Sequence, residues 1–194
     1  MIEKPSKGTV NQMPSAESRV YVACLACYNE GKLRGNTYNA DQLETMSSWL
    51  PSLVDDDGNQ VLCGVRHHHE WAIHDYDGNI SRLSIGEDPD IDMLIEVMNF
   101  VDENGGRGIA AYKLTEDIMD DFDFSDVENT LDNMEEYDDP ADWAYETCKD
   151  CGYELGFNGW HPAQYINWSR VADDMLMDYH AYQYGEVTYI VRAE

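Results

Sequence analysis

The chain has 194 residues, and its 39 Asp and Glu against 12 Lys and Arg give a formal net charge of −27. This charge excludes direct binding to nucleic acid or to an anionic membrane surface, and it favours a basic partner. The content of aromatic residues is 11%, with 13 Tyr and five Trp, which disordered acidic chains lack. The composition therefore predicts a folded acidic protein, and no apolar run is long enough for a membrane span.

The first 18 residues are polar and contain no apolar core of a signal peptide, so we expect residues 1–18 to form a flexible extension. Five cysteines, an odd number without a secretion signal, indicate free thiols and a reducing compartment. The expected location is the cytoplasm of a bacterial host cell.

Residues 19–85 have the pattern of a small α+β domain. The β-branched and aromatic run Arg19–Tyr28 predicts a buried strand, and 32–38 predicts its partner. Apolar spacing predicts a helix over 41–49 that stops at Pro51, the run 55–59 is a turn, and residues 61–76 predict a second β segment that ends at a turn around Gly78.

The negative charge is concentrated between Gly86 and Glu146. This stretch holds 21 acidic residues and two basic ones, Arg107 and Lys113, so its net charge is 2 − 21 = −19. The residues before it and after it carry −4 each. Adaptation to high salt would spread the acidic residues evenly, so the uneven distribution indicates a specific role for this stretch.

Helical periodicity runs through the acidic stretch. A first helix is predicted from Asp88 and Pro89 to the Gly105–Gly106 pair. Its apolar face would be Ile91, Leu94, Ile95, Met98 and Val101, beside a polar face of Asp92, Glu96, Asn99 and Glu103. A second helix is predicted from a capping box of Ser125 and Glu128, with Glu135 and Glu136 on its outer face, and a third from Asp139–Pro140.

The tail combines a predicted helix around Trp168 and Met175 with a closing strand over 186–191. The predicted fold class is α+β: an elongated chain of three small domains, in which two antiparallel-sheet α+β domains flank a central acidic helical domain. The expected domains are 19–85, 86–128 and 129–194, and the apolar part of the last, 168–191, is the expected surface of a homodimer.

A zinc-stabilised acidic interaction module is the alternative function. Cys24-x-x-Cys27 and Cys148-x-x-Cys151 are paired-cysteine motifs, and Cys63 and the His67–His69 run add further ligand types. A strand would point Cys24 and Cys27 to opposite faces, and a helix would place Cys148 and Cys151 on an apolar face. The prediction is therefore no metal and no other cofactor.

Catalysis has little support in the sequence. The Gly-x-Ser-x-Gly, phosphate-loop and His-Glu-x-x-His motifs are absent, and a strand would point the adjacent His74 and Asp75 apart. Loops aligned on Gly58 or Gly78 lack the acidic residues that a calcium-binding EF-hand needs at positions 1 and 12. The chain is predicted not to be an enzyme.

Carboxylates on a helix are also regularly spaced along its axis. Acidic residues at i and i+4 are separated by roughly 6 Å along the helix axis, comparable to the spacing of phosphates on one DNA strand. Duplex DNA carries one charge per ~1.7 Å, so a net charge of −19 matches about one helical turn of duplex. The stretch could thus imitate DNA toward a protein that grips DNA with Lys and Arg.

Three segments resemble the ArdA antirestriction proteins: Val20–Gly35, the run Glu70–Tyr76 (sequence EWAIHDY), and Gln164–Asp174 (sequence QYINWSRVADD). The resemblance spans about residues 19–191. It implies a dimeric, non-enzymatic mimic of bent B-form DNA that occupies the DNA-binding groove of type I restriction-modification enzymes, on their methyltransferase core, and so protects an incoming mobile genetic element.

Under this resemblance, function belongs to a surface of carboxylates that replace phosphates. The residues expected on this phosphate-mimicking surface are Asp92, Glu96, Glu103, Glu116, Asp117, Asp120, Asp121, Asp123, Asp126, Glu128, Asp132, Glu135, Glu136, Asp138, Asp139, Asp142 and Glu146. The N-terminal extension, the His67–His69 run and the two cysteine pairs are departures from the family pattern.

Overall fold

The computed structural model describes residues 16–46, 61–152 and 162–192, with the side chain of Met46 left out. It combines helices with two small antiparallel sheets of three strands each, so the predicted α+β class is confirmed. The chain divides into two compact units, of which the first ends at Ile109 and the second begins at Ala110. The predicted division into three domains stays a prediction. Among the described residues, no helix has the length and apolarity that crossing a bilayer requires.

The first unit is built on a sheet with the strand order β2-β1-β3. Its elements are β1 (Arg19–Cys24), α1 (Leu25–Asn29), β2 (Gly35–Tyr38), α2 (Ala40–Met46) and β3 (Trp71–Asp77), followed by a 3-10 turn over Gly78–Arg82. Both neighbours pair with β1 in antiparallel register. The central position of β1 explains its burial, because Val20, Val22 and Ala23 are at most 1% exposed.

Two strand predictions in this unit were too long. Strand β1 ends at Cys24, where the chain turns into α1, so the predicted strand through Tyr28 is wrong in its second half. Strand β3 begins only at Trp71, and residues 61–70 form a loop with left-handed backbone at Gly64 and His67. The partner strand predicted over 32–38 is confirmed in its second part as β2 (Gly35–Tyr38), and the helix after it is confirmed as α2. The turn predicted over 55–59 and the predicted helix end near Pro51 lie outside the described residues.

Helix α3 (Ile91–Ile118) contains the first acidic helix and continues beyond it. The predicted apolar face is confirmed, since Leu94, Ile95, Met98 and Val101 are at most 8% exposed. The cap is Asp90 rather than Asp88, because its Oδ1 accepts a hydrogen bond from the Met93 amide at 2.9 Å. At Gly105 the backbone leaves the helix (φ 55°, ψ −132°), so the predicted break is confirmed there, but helical structure resumes after it.

The second unit contains a sheet with the strand order β4-β6-β5. Its elements after α3 are α4 (Phe124–Asn133), β4 (Glu135–Tyr137), α5 (Pro140–Asp150), α6 (Trp168–Met175), β5 (Tyr179–Tyr184) and β6 (Val187–Arg192), with 3-10 turns over Pro162–Tyr165 and Leu176–Asp178. The core forms around Trp143, which is 1% exposed, with Ala144, Ala172 and Ile190. The ring of Trp143 meets Tyr179 edge to face, with 4.9 Å between centroids.

The sequence located the helices of this unit better than their ends. Asp139 caps α5 and Pro140 occupies its first turn, as predicted, and α6 and β6 are confirmed. The capping box of α4 is wrong by two residues: Asp123 and Asp126 form it, and Ser125 lies inside the helix. Glu135 and Glu136 belong to strand β4, not to the outer face of α4.

Candidate functional site

The 17 residues of the predicted phosphate-mimicking surface lie on several elements. In the first unit, Asp92, Glu96 and Glu103 are exposed on α3. In the second unit they continue from the end of α3 through α4, β4 and α5: Glu116, Asp117, Asp120, Asp121, Asp123, Asp126, Glu128, Asp132, Glu135, Glu136, Asp138, Asp139, Asp142 and Glu146. Sixteen of the 17 residues are exposed and Asp126 is half-buried, so nearly all of these carboxylates are available to a partner.

Two of these carboxylates are in contact with a basic side chain. Glu116 pairs with Lys113 at 2.7 Å, one turn earlier on α3, and Asp117 contacts His180 Nδ1 on β5 at 2.5 Å. Burial, together with the negative charges of Glu135 and Glu146, raises the pKa of Tyr137 to about 12. Burial is the larger of these effects, and the two carboxylates act in the same direction, so both disfavour ionisation of the phenol.

Some acidic residues of the surface also maintain the fold. Asp123 Oδ1 accepts from the Ser125 amide at 2.8 Å and from its hydroxyl at 2.5 Å, and these hydrogen bonds lower the pKa of Asp123. Asp126 Oδ2 accepts a hydrogen bond from the Asp123 amide, and Asp139 Oδ1 accepts one from the Ala141 amide. These three residues hold helix ends, so a change at any of them alters α4 or α5 as well as the surface charge.

Asp102 is an acidic residue of α3 with a purely internal role. Its carboxylate accepts from the Ser18 amide at 2.8 Å, from the Ser18 hydroxyl at 2.6 Å and from the Asn79 side chain at 2.9 Å. Ser18 is fully buried and Asn79 is 5% exposed. The carboxylate therefore joins α3 to the start of β1 and to the turn after β3. Helical periodicity places Asp102 within the apolar face, at an angle between those of Met98 and Ile95, which indicates an inward-pointing carboxylate. It does not identify the partners in this network.

The cysteines are arranged differently from the prediction. Cys24 ends β1 and precedes α1, while Cys27 lies within α1, so the two side chains do not point to opposite faces of a strand. Together with Cys63 and His68 they form a cluster in which all four ligand atoms lie within 4.8 Å of one another. Burial and the neighbouring thiols of Cys24 and Cys63 raise the pKa of the Cys27 thiol to about 11. The feature of the sequence that could have indicated this cluster is the short spacing of Cys63 and His68, with four residues between them. A search for paired-cysteine motifs alone does not detect it.

The other candidate residues are not members of this cluster. Cys148 lies in α5 against Met175, with 3.9 Å between sulfurs, and Cys151 is exposed at the end of that helix. His74 lies on β3 and meets the ring of Tyr28 edge to face, with 4.5 Å between centroids. These contacts give structural roles to Cys148 and His74.

Taken together, the described residues belong to an acidic α+β protein that displays carboxylates from helices and a short strand. The class is that of an acidic protein with a surface of exposed carboxylates. The family model of the antirestriction protein ArdA matches residues 20–189, and the chain therefore belongs to the ArdA family of non-enzymatic antirestriction proteins. A comparison with curated proteins finds no match. The family function is antirestriction, which implies interaction with restriction enzymes.

Proposed function

We propose that this protein mimics B-form DNA and competitively occupies the DNA-binding groove of a type I restriction-modification enzyme, on its methyltransferase core. The observation that supports this most strongly is the display of charge. A stretch with a net charge of −19 places sixteen of its 17 predicted phosphate-replacing residues on the surface, each within a folded unit.

The local spacing of the carboxylates supports the same proposal. Asp92 and Glu96 on α3, and Glu128 and Asp132 on α4, are exposed pairs at i and i+4, roughly 6 Å apart along their helix axes. Like charges at this spacing destabilise a helix by a few tenths of a kcal/mol per pair. The acidic stretch contains two basic residues that could offset this repulsion. Binding to a groove lined with Lys and Arg would reduce the repulsion, so such a surface suits a DNA-binding groove.

The test is displacement of DNA from a type I methyltransferase. Labelled DNA carrying the recognition site is bound to the enzyme at low salt, and this protein is titrated in. We expect complete release of the DNA, and the affinity of the protein for the enzyme should fall steeply as salt is raised. An enzyme that keeps its DNA while it binds this protein would contradict the proposal.

The proposal includes a homodimer formed through the tail of the second unit. Tyr165 and Met177 are 72% and 83% exposed, respectively, and both are apolar side chains that a dimer contact would cover. Light scattering is expected to give twice the chain mass of 22.2 kDa. A monomer mass at micromolar concentration would remove the dimer from the proposal without affecting the competition with DNA.

A further inference from the structure

The four side chains of the cluster in the first unit converge on one point. His68 Nδ1 lies 3.4 Å from Cys24 Sγ, 3.6 Å from Cys27 Sγ and 3.5 Å from Cys63 Sγ. Cys24 and Cys27 are at most 2% exposed, and Cys63 and His68 are half-buried. Three thiols therefore surround a single ring nitrogen in a largely enclosed place.

Hydrogen bonding does not explain this arrangement. A ring nitrogen carries either one hydrogen or one lone pair, so Nδ1 can make one good hydrogen bond with one thiol at a time. Thiols are also weak donors and acceptors. A hydrogen bond to Nδ1 therefore accounts for one of the three short sulfur–nitrogen contacts at a time.

A metal ion at the centre accounts for all three contacts. With Zn–S bonds of about 2.3 Å and a Zn–N bond of about 2.0–2.1 Å, the tetrahedral angle separates each sulfur from the nitrogen by about 3.6 Å. The observed distances are 3.4, 3.5 and 3.6 Å. Three thiolates and one imidazole form a ligand set that selects zinc over hard cations such as Mg²⁺ or Ca²⁺.

The surrounding backbone holds the ligands in place. The Cys27 amide donates to Cys24 Sγ at 3.4 Å, a hydrogen bond that stabilises a thiolate. The Cys24 amide donates to the carbonyl of Arg34 at 2.8 Å, and the Arg34 guanidinium donates to the carbonyl of Cys63 at 3.2 Å. Arg34, in the segment that leads into β2, therefore forms hydrogen bonds with the backbone of both Cys24 and Cys63.

We propose that Cys24, Cys27, Cys63 and His68 form a structural zinc site. All four positions are filled by protein, as in structural rather than catalytic zinc centres. The ion would link the end of β1 and α1 to the loop that precedes β3. Such a link would add to the stability that the hydrophobic core of this unit supplies.

The first test is the metal content of untagged protein, purified in reducing buffer without added metal. We expect one zinc per chain. Replacing the zinc by Co²⁺ should produce the strong visible absorption of a tetrahedral thiolate complex, which requires no variant and so does not depend on a variant folding. Removal of zinc by a strong chelator should lower the midpoint of thermal unfolding by about 10 °C or more. Protein that contains no zinc and takes up neither ion would overturn the proposal.

Matched variants assign the ligands. Cys63→Ser and His68→Ala should lose the zinc, whereas Cys148→Ser, Cys151→Ser and the double variant His67→Ala/His69→Ala should keep it. The double variant matters because His67 and His69 are exposed and could bind metal adventitiously. Zinc that is lost in this double variant but kept in Cys63→Ser would contradict the site.

Discussion

Neutralising four exposed carboxylates of the second unit should weaken binding to the methyltransferase ~10²-fold. The variant is Asp120→Asn, Asp121→Asn, Glu128→Gln and Asp132→Asn, which changes the net charge from −27 to −23. Each lost contact with a Lys or Arg of the groove costs about 0.5–1 kcal/mol at an interface, and 1.4 kcal/mol corresponds to a factor of ten. The salt dependence should also become shallower, by about one unit of slope per phosphate-like contact that is lost.

The matched control removes the same charge elsewhere. Asp41→Asn, Glu44→Gln, Asp150→Asn and Glu186→Gln are four exposed positions outside Gly86–Glu146, and this variant also has a net charge of −23. If the surface acts as a DNA mimic, the control should bind within a few-fold of the wild type. Equal losses in the two variants would show that only the total charge matters. Unfolding of the first variant in circular dichroism would show that its four residues are structural.

Removing the carboxylate of Asp102 should destabilise the first unit by about 3–5 kcal/mol. Asp102→Ala removes the acceptor of the Ser18 amide, of the Ser18 hydroxyl and of one N–H of the Asn79 side chain, and each unsatisfied buried donor costs about 1–3 kcal/mol. The free energy of unfolding in urea measures the effect.

Two variants make the test of Asp102 specific. Glu103→Ala removes a neighbouring carboxylate that is exposed, and it should change stability by less than about 0.5 kcal/mol. Asp102→Asn keeps the shape of the side chain but turns one acceptor into a donor. Its loss of unfolding free energy should therefore lie between those of Asp102→Ala and Glu103→Ala. If Asp102→Ala were no less stable than Glu103→Ala, the hydrogen bonds of Asp102 would not hold the unit together.

The sequence predicted best those features that a single element determines. The apolar face of α3 follows from spacing alone, and Leu94, Met98 and Val101 are buried as predicted. The start of α5 is also determined by adjacent residues. Asp139 caps the helix, and Pro140 is favoured at the first helical position. Exposure of the acidic residues beside these faces required no knowledge of the rest of the fold.

Features that depend on distant partners were predicted less well. Nothing within Cys24–Tyr28 distinguishes a longer strand from a turn into helix, since the outcome depends on how far β2 and β3 extend alongside β1. Several Asp and Ser residues precede α3 and α4, and each could cap a helix, so the choice of Asp90 and Asp123 is settled by packing. The proximity of Cys63 and His68 to Cys24 likewise depends on the tertiary structure, because the loop that carries them precedes β3, which pairs with β1.

The displacement titration, carried out at two concentrations of labelled DNA, tests the central claim most directly. Competition for one groove predicts that all of the DNA is released, and that the midpoint of the titration rises linearly with the DNA concentration. Binding elsewhere on the enzyme would give a midpoint that does not depend on DNA concentration, or a complex that contains enzyme, DNA and this protein together. Either result would contradict the account of this protein as a DNA mimic.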